Sequence, residues 1–302
     1  MSPSPDRPDG AEPGAAFRVD RFEAVIRQIA PDDIDLLHEL TIGVFWPHRR
    51  RDLAFLAGLG EGYLALDVIG RPMASAMRFA AGDGLTTLGM MVTAPRLQTH
   101  GTGRRLLDLL MRDCADRDLR LSATSSGYRL YERAGFVPLR EIRQHQGIAR
   151  PIYLPDLPAG VTIRPRGDGD DGAVRDLDRT AFGAGRPAVL DRLSGMSEGA
   201  VAERDGAVTG YALCRPFGRG EGIGPIVAPD EATAMGLAAS FLAHRTGRFL
   251  RVDTPDPSER FGAFLSAAGL GVFSTVTEMY LGRQRRPLEG PRIFGLAMQS
   301  LG

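Results

Sequence analysis

Apolar positions recur along the chain with two periods, two and roughly three and a half residues, and the order in which the periods alternate predicts a mixed fold. Phe22 to Gln28 reads as a strand. Pro31-Asp32-Asp33 opens a helix through Leu40, with proline near its start and acids in its first turn. A second helix covers Asp52 to Leu59. Gly62 to Val68 and Pro72 to Phe79 read as a hairpin about Ile69-Gly70-Arg71, followed by a strand from Thr86 to Thr93. After a glycine-containing loop, Gly103, Leu107, Leu110 and Cys114 recur at helical spacing from Thr102 to about Arg117. A short strand at Leu119 to Ala123, a helix at Gly127 to Ala134 and a strand from Phe136 complete this half, with Gly135 placed as a C-cap.

A proline-rich stretch with Pro151, Pro155 and Pro158 reads as a linker. A similar order then restarts. Strands are expected at Val161 to Arg164, Ala200 to Arg204, Ala207 to Leu213, Gly222 to Ala228, Phe249 to Thr254 and Leu270 to Leu281. Helices are expected at Asp171 to Phe182, Pro187 to Leu193, Pro229 to His244 and Ser258 to Ala268. Asp205-Gly206 is a hairpin turn signal. The halves therefore repeat at roughly 130 residues by element order rather than by identity. The expected fold class is α/β: two tandem units, each a mixed, mostly antiparallel sheet flanked by helices. Residues 1–21 read as a disordered tail, 22–150 as the first unit, 151–160 as linker, 161–283 as the second unit and 284–302 as an apolar tail, either a docked helix or a strand edge.

Composition narrows the function. Thirty-seven basic and 37 acidic residues cancel, which argues against a nucleic-acid binder and a polybasic membrane anchor. Every basic residue is arginine, which supplies surface charge as lysine does. Cys114 and Cys214 lie in different halves with no other ligand type at metal spacing, so neither a disulfide framework nor a metal site is expected. No apolar run has the length of a membrane span, and the start lacks a signal peptide's apolar region; a cytoplasmic protein is expected.

The strongest local signal is Gln98-Thr99-His100-Gly101-Thr102-Gly103-Arg104, between an apolar strand and an amphipathic helix. Amides at such a helix start can grip a phosphate, and glycines let the backbone approach it. It is neither a Walker loop nor a dinucleotide fingerprint, since Leu106 stands where the latter needs its third glycine. The run Leu88 to Gly103 resembles the acetyl-CoA motif of GNAT acetyltransferases, and Leu130-Tyr131-Glu132-Arg133-Ala134-Gly135-Phe136 resembles that family's second motif. The order of elements over 22–145 fits the same fold. In particular the chain resembles the tandem GNAT proteins whose second half is a divergent GNAT-like domain; Trp46-Pro47-His48-Arg49 and the apolar end near Phe294 suit that group.

The resemblance implies an N-acetyltransferase that moves an acetyl group from acetyl-CoA to an amine by direct attack in a ternary complex. It implies backbone contacts from Met91, Val92 and Thr93 to pantetheine, and a pyrophosphate cradle at Thr99, His100, Gly101, Thr102, Gly103 and Arg104. Thr124 stands where the family often has a cofactor-contacting asparagine. Tyr131 matches the proton donor to the leaving thiolate. Trp46 and His48 fall where the acceptor pocket is built, and His48 and Arg49 suit an anionic group. The base is not legible; Glu61, Asp67 and Asp83 are candidates near strand ends. In the second half Asp230 and Glu231 would repel a pyrophosphate, and Leu265 falls where Tyr131 stands, so a structural or pocket-completing role is expected. The acceptor, a small molecule or peptide amine, is not specified, and monomer and homodimer both stay open. The alternative to an enzyme is a non-catalytic acyl-CoA-binding regulatory module.

Overall fold

The computed structural model describes residues 16–19, 22–98, 101–286 and 289–302. The first half opens with an antiparallel pair, β1 (Ala16–Val19) and β2 (Phe22–Gln28). β1 falls inside the stretch expected to be a disordered tail; pairing with β2 gives it a partner that local composition does not reveal. Residues 1–15, 20 and 21 lie outside the described residues. A 3-10 turn at Pro31–Asp33 enters α1 (Ile34–Gly43), and α2 (Arg50–Ala57) follows. Asp33 fixes this entry, accepting from Ala30 N at 2.7 Å and from the Arg27 guanidinium at 2.6 Å. Next come the meander β3 (Glu61–Asp67), β4 (Pro72–Ala80) and β5 (Leu85–Thr93), then α3 (Thr102–Asp113), β6 (Asp118–Ala123), α4 (Tyr128–Arg133) and β7 (Val137–Ile148).

The second half repeats the order as β8 (Val161–Pro165), α5 (Asp171–Phe182), α6 (Pro187–Ser194), β9 (Glu198–Arg204), β10 (Ala207–Phe217), β11 (Gly220–Ala228), α7 (Glu231–Leu242), β12 (Phe249–Thr254), α8 (Glu259–Ala267) and β13 (Gly271–Leu281). Asp205 and Gly206 both take positive φ, 52° and 77°, as a tight hairpin between β9 and β10 requires. The apolar end supplies β14 (Arg292–Gly295), which is a strand and not a helix.

The two sheets are not separate. Strand order is β1-β2-β3-β4-β5-β6-β13-β7-β12-β11-β10-β9-β8, with β14 beside β11. Each half's last strand has crossed over. β13 lies between β6 and β7, and β7 lies between β13 and β12, all antiparallel. β6 therefore takes its outer partner, β13, from the second half, and β12 takes its outer partner, β7, from the first. The apolar core follows suit. One cluster joins Leu37, Leu53 and Leu56 to Phe182, Leu190, Tyr211 and Leu301, from both halves. Separate clusters lie under α3 and α7.

A buried ion cluster sits at the crossing. Glu278 on β13 meets Arg286 at 2.6 Å, Arg140 of β7 at 3.0 Å and Arg120 of β6 at 3.6 Å. Burial alone would raise the Glu278 carboxyl, yet the three guanidinium groups hold it below its usual range. Replacing Glu278 with Gln leaves buried arginines without their counter-charge. The Glu278→Gln variant is expected to lose about 3 kcal/mol of unfolding free energy, read from the denaturant midpoint; an unchanged midpoint would show that the cluster contributes nothing.

Candidate active site

β5 and β6 run parallel and pair only from Leu85–Asp118 to Leu88–Leu121. Beyond Leu88 they part. The cause lies in β5, whose register against β4 slips between Ser75–Val92 and Met77–Gly89, a β-bulge with Met90 at φ 51°. Ser75 Oγ donates to the Met90 carbonyl at 2.8 Å and holds the bulge. The chain's end covers the vertex of this splay: Ser122 Oγ donates to the Gln299 carbonyl at 3.0 Å, and Ser300 packs on Gly89 so closely that a Cβ there would collide with it.

The splay opens into a cleft of about 760 Å³. At one end stand Met91, Thr93, Gly101, Gly103, Arg104, Thr124 and Tyr131. α3 begins beside it, with its N-cap Gly101 left-handed at φ 87° and, among the described residues, no side chain capping its first turn. Gly103 lets the helix approach β5: a Cβ would stand 3.2 Å from Thr93 Oγ1. The side chains of Val92 and Thr102 turn away from the cleft into the interior. Thr99 and His100 lie outside the described residues. The Thr124 hydroxyl accepts from Gly127 N at 3.3 Å and contacts Ser126 Oγ at 3.1 Å. Tyr131 is 6% exposed, its ring edge-on to Phe136 at 6.0 Å, and its hydroxyl makes no hydrogen bond among the described residues. Burial pushes its phenol well above the usual range, so it keeps its proton at neutral pH.

The other end is built largely by residues that local sequence gave no reason to choose. Trp46 and His48 are there, with Phe45, Gln144, Gln146, Phe217, Arg219, Arg251, Phe273 and Gln299. The His48 ring lies 5.7 Å from Trp46 and edge-on to Phe217 at 5.5 Å. Burial, then the charges of Arg251 and Arg215, lower its pKa to about 3, so the imidazole is neutral. Arg49 points elsewhere and donates to the Gly218 carbonyl at 3.4 Å. Glu61, Asp67 and Asp83 are also elsewhere. Glu61 pairs with Arg78 at 2.6 Å, Asp67 ties the β3–β4 turn through Ile69 N and Arg71, and Asp83 accepts from Gly185 N at 3.3 Å. Among the described residues, no Asp or Glu lines the cleft, and no group of three or more His, Cys, Asp or Glu could hold a metal. No helix is long and apolar enough to cross a membrane, among the described residues.

The second half has the same parallel pair, β11 with β12, ending at Gly222–Arg251. Here β14 fills the gap. It pairs with β11 from Ala228–Arg292 to Ile226–Gly295, and Leu296 N donates to the Asp253 carbonyl of β12 at 2.8 Å. α7 also differs from α3: Asp230 caps it, accepting from Thr233 N at 2.8 Å. Leu265 is fully buried in the apolar cluster under α7.

Residues 66–150 match a family model described as an acetyltransferase (GNAT) domain, and residues 174–295 match another of the same description; together they cover more than half of the chain. The chain belongs to the GNAT acetyltransferase family. It carries two GNAT domains in tandem, and it is an acetyltransferase. A relative in Bacillus subtilis (strain 168), called the uncharacterized N-acetyltransferase YitH, is 28% identical over 262 residues, spanning 85% of this GNAT chain and 91% of that protein. A candidate acetyltransferase from Pyrococcus horikoshii superposes with a TM-score of 0.74 at 20% identity, over 98% of this chain and 99% of that one. A tandem GNAT protein from the clavulanic acid biosynthesis pathway superposes with a TM-score of 0.62 at 15% identity, over 86% and 99%. At these identities the structural likenesses concern the fold.

The GNAT cleft thus takes Phe217, Arg219 and Arg251 from β10–β12 of the second domain. Each sits in a strand or hairpin without local peculiarity, and only the crossing of β7 and β13 carries them to the first domain's splay. The neutral His48 makes a testable demand on stability. An unfolded histidine binds a proton below pH ~6.5, whereas His48 resists it down to about 3. Unfolding free energy is therefore expected to fall as pH drops from 6.5 towards 3, and the His48→Gln variant should show a flatter decline in pH-resolved denaturation. Parallel curves for the two proteins would exclude this group.

Proposed function

We propose that this GNAT protein transfers an acetyl group from acetyl-CoA to an amine, by direct attack in a ternary complex formed in the β5–β6 splay. The observation that carries this is the contrast between two related gaps: one is filled by β14, the other stands open beside an uncapped helix start and runs into the cleft with Tyr131. Pantetheine would add as a strand along the backbone of Met91, Val92 and Thr93. The pyrophosphate would rest on the amides of Gly101, Thr102, Gly103 and Arg104, with Thr99 and His100 of the same loop beside it. Thr124, with Met91 and Thr93, lines the path between the two.

The acceptor must be neutral to attack, while a lysine-like amine has a pKa near ~10.4. Among the described residues no carboxylate lines the cleft, so the proton leaves to water, and the neutral His48 ring orients the amine by accepting a hydrogen bond. The amine nitrogen bonds to the thioester carbon, the carbon–sulfur bond breaks as the Tyr131 phenol protonates the departing sulfur, and the nitrogen gives its second proton to water to leave the neutral amide. The phenol then recovers its proton from solvent. The second domain, with its gap filled, its helix capped by Asp230 and Leu265 in place of a phenol, would have no site of its own.

The test is release of free thiol from acetyl-CoA across a panel of amines. Tyr131→Phe is expected to lower kcat by about 100-fold or more while acetyl-CoA affinity stays within a few fold. Unchanged turnover would remove the phenol from the reaction. Because burial raises the Tyr131 pKa, the wild-type kcat should not fall through pH ~10, where an ordinary tyrosine loses its proton. A loss of kcat centred there, absent from Tyr131→Phe, would contradict the buried phenol.

A further inference from the structure

We infer that the acceptor is itself an anion: an amine that carries a carboxylate or phosphate, gripped by Arg251 and Arg219 of the second domain, with an apolar body against Trp46 and Phe217. This rests on the acetyl-transfer reading and specifies its acceptor.

The first ground is the sign of the cleft. Five arginines line it, Arg104, Arg129, Arg133, Arg219 and Arg251, and no Asp or Glu does among the described residues. The first three belong to α3 and α4, at the end assigned to the donor's phosphates. Arg219 and Arg251 belong to the other end and have no such charge to meet. Arg104 pairs with Asp108 and Arg251 with Asp253, both at 2.8 Å, yet a polycationic acceptor would still meet only cationic groups among the charged side chains that the described lining presents.

The second ground is an imbalance in the buried wall behind Trp46 and His48. Arg215 and Arg251 both lie 5.2 Å from the Phe217 ring centre. Arg251, only 8% exposed, spends its Nε and one terminal nitrogen on Asp253 at 2.8–3.0 Å. Asp253 is shared, since Gln299 Nε2 also donates to it at 3.3 Å. Arg215 is 2% exposed and donates only to the carbonyls of Pro216 and Ala297, with its Nε left buried and unpartnered. Arg219 is exposed, stacks on Phe249 and forms no ion pair among the described residues. Asp52, whose charge acts on Arg215, accepts from the amides of Arg49 and Gly218 through Oδ2, and its Oδ1 is buried without a hydrogen bond among the described residues. Three guanidinium groups thus stand against two carboxylates, a surplus of one positive charge that one bound anion would neutralise in a setting of low dielectric.

The apolar part of the ligand follows from the same wall. Trp46, Phe217, Phe273 and Met298 line the cleft, and Phe45, 94% exposed and held at φ 59°, stands at its rim. An amine with an acid group and an apolar or aromatic body, such as a hydrophobic amino acid or an apolar aminophosphate, matches both features.

Trp46 is the single tryptophan of the chain and lies in this wall, so its fluorescence reports occupancy without turnover. The ligands are N-acetylphenylalanine, its uncharged carboxamide, and phenyl phosphate. N-acetylphenylalanine or phenyl phosphate is expected to give a saturable change, the stronger of the two naming the acid group, with the carboxamide at least about tenfold weaker. Arg219→Gln and Arg251→Gln should each weaken the anion by about tenfold and leave the carboxamide unchanged. Arg219 is exposed, so its variant keeps the test alive if Arg251→Gln does not fold. Equal binding of acid and carboxamide, no saturable change with either anion, or full affinity in Arg219→Gln would overturn the inference. In the thiol-release panel, preference for a polyamine over amino acids or aminophosphates would overturn it and leave acetyl transfer standing. Absence of thiol release with every amine counts against acetyl transfer itself, and the fluorescence titrations still decide whether the wall holds an anion.

Discussion

The exchange of final strands between the two halves is the constraint on which the rest of the molecule depends. β13 hydrogen-bonds to β6 and β7 at once, and β7 to β13 and β12. The backbone groups along β6 and along β12 are thus paired by a strand from the other half. The exchange also makes each half's sheet depend on the other's completion. The apolar cluster that mixes α1 and α2 with α5 and α6, and the Glu278 cluster at the crossing, both follow from that dependence.

The crossing brings two similar gaps into one sheet, and they meet opposite fates for a simple reason. Where a bulge parts two parallel strands, the backbone groups facing the gap need a partner. In the second half the chain supplies one, β14, and Asp230 supplies the cap of the adjoining helix. In the first half Gln299 and Ser300 reach the vertex, and the N-cap of α3 is a glycine, which has no side chain to cap with. The same closing segment therefore fills one gap and floors the other. A duplicated fold has become one closed and one open half without any change in element order.

Charge distribution within the cleft follows the same division of labour. The first domain contributes the phenol of Tyr131 and the helix start, and the second contributes Arg219, Arg251 and the Phe217 ring. With no carboxylate among the described lining residues, the cleft's charge is set by guanidinium groups, and His48, kept neutral chiefly by burial, is held lower still by Arg251 and Arg215. Glu61, Asp67 and Asp83, plausible bases by their place near strand ends, are consumed by an ion pair, a turn and a loop contact.

The sequence by itself determined the elements, the mixed sheet and the tandem repeat, because periodicity, caps and turn residues act over a few neighbours: the Asp205-Gly206 turn, the glycine start of α3 and the acid start of α7 are local facts. It also marked Trp46, His48 and Tyr131, which line the cleft. Strand pairing between segments far apart in the chain is not local, so the insertion of β13 beside β6 and the filling of the second gap by β14 were decided only in three dimensions. For the same reason the cleft's far wall was invisible in the chain. Arg251 in β12 and Arg219 in the β10–β11 turn are ordinary surface-type residues in sequence, and they become partners of Trp46 only when the crossed strands carry one half's sheet against the other's open gap.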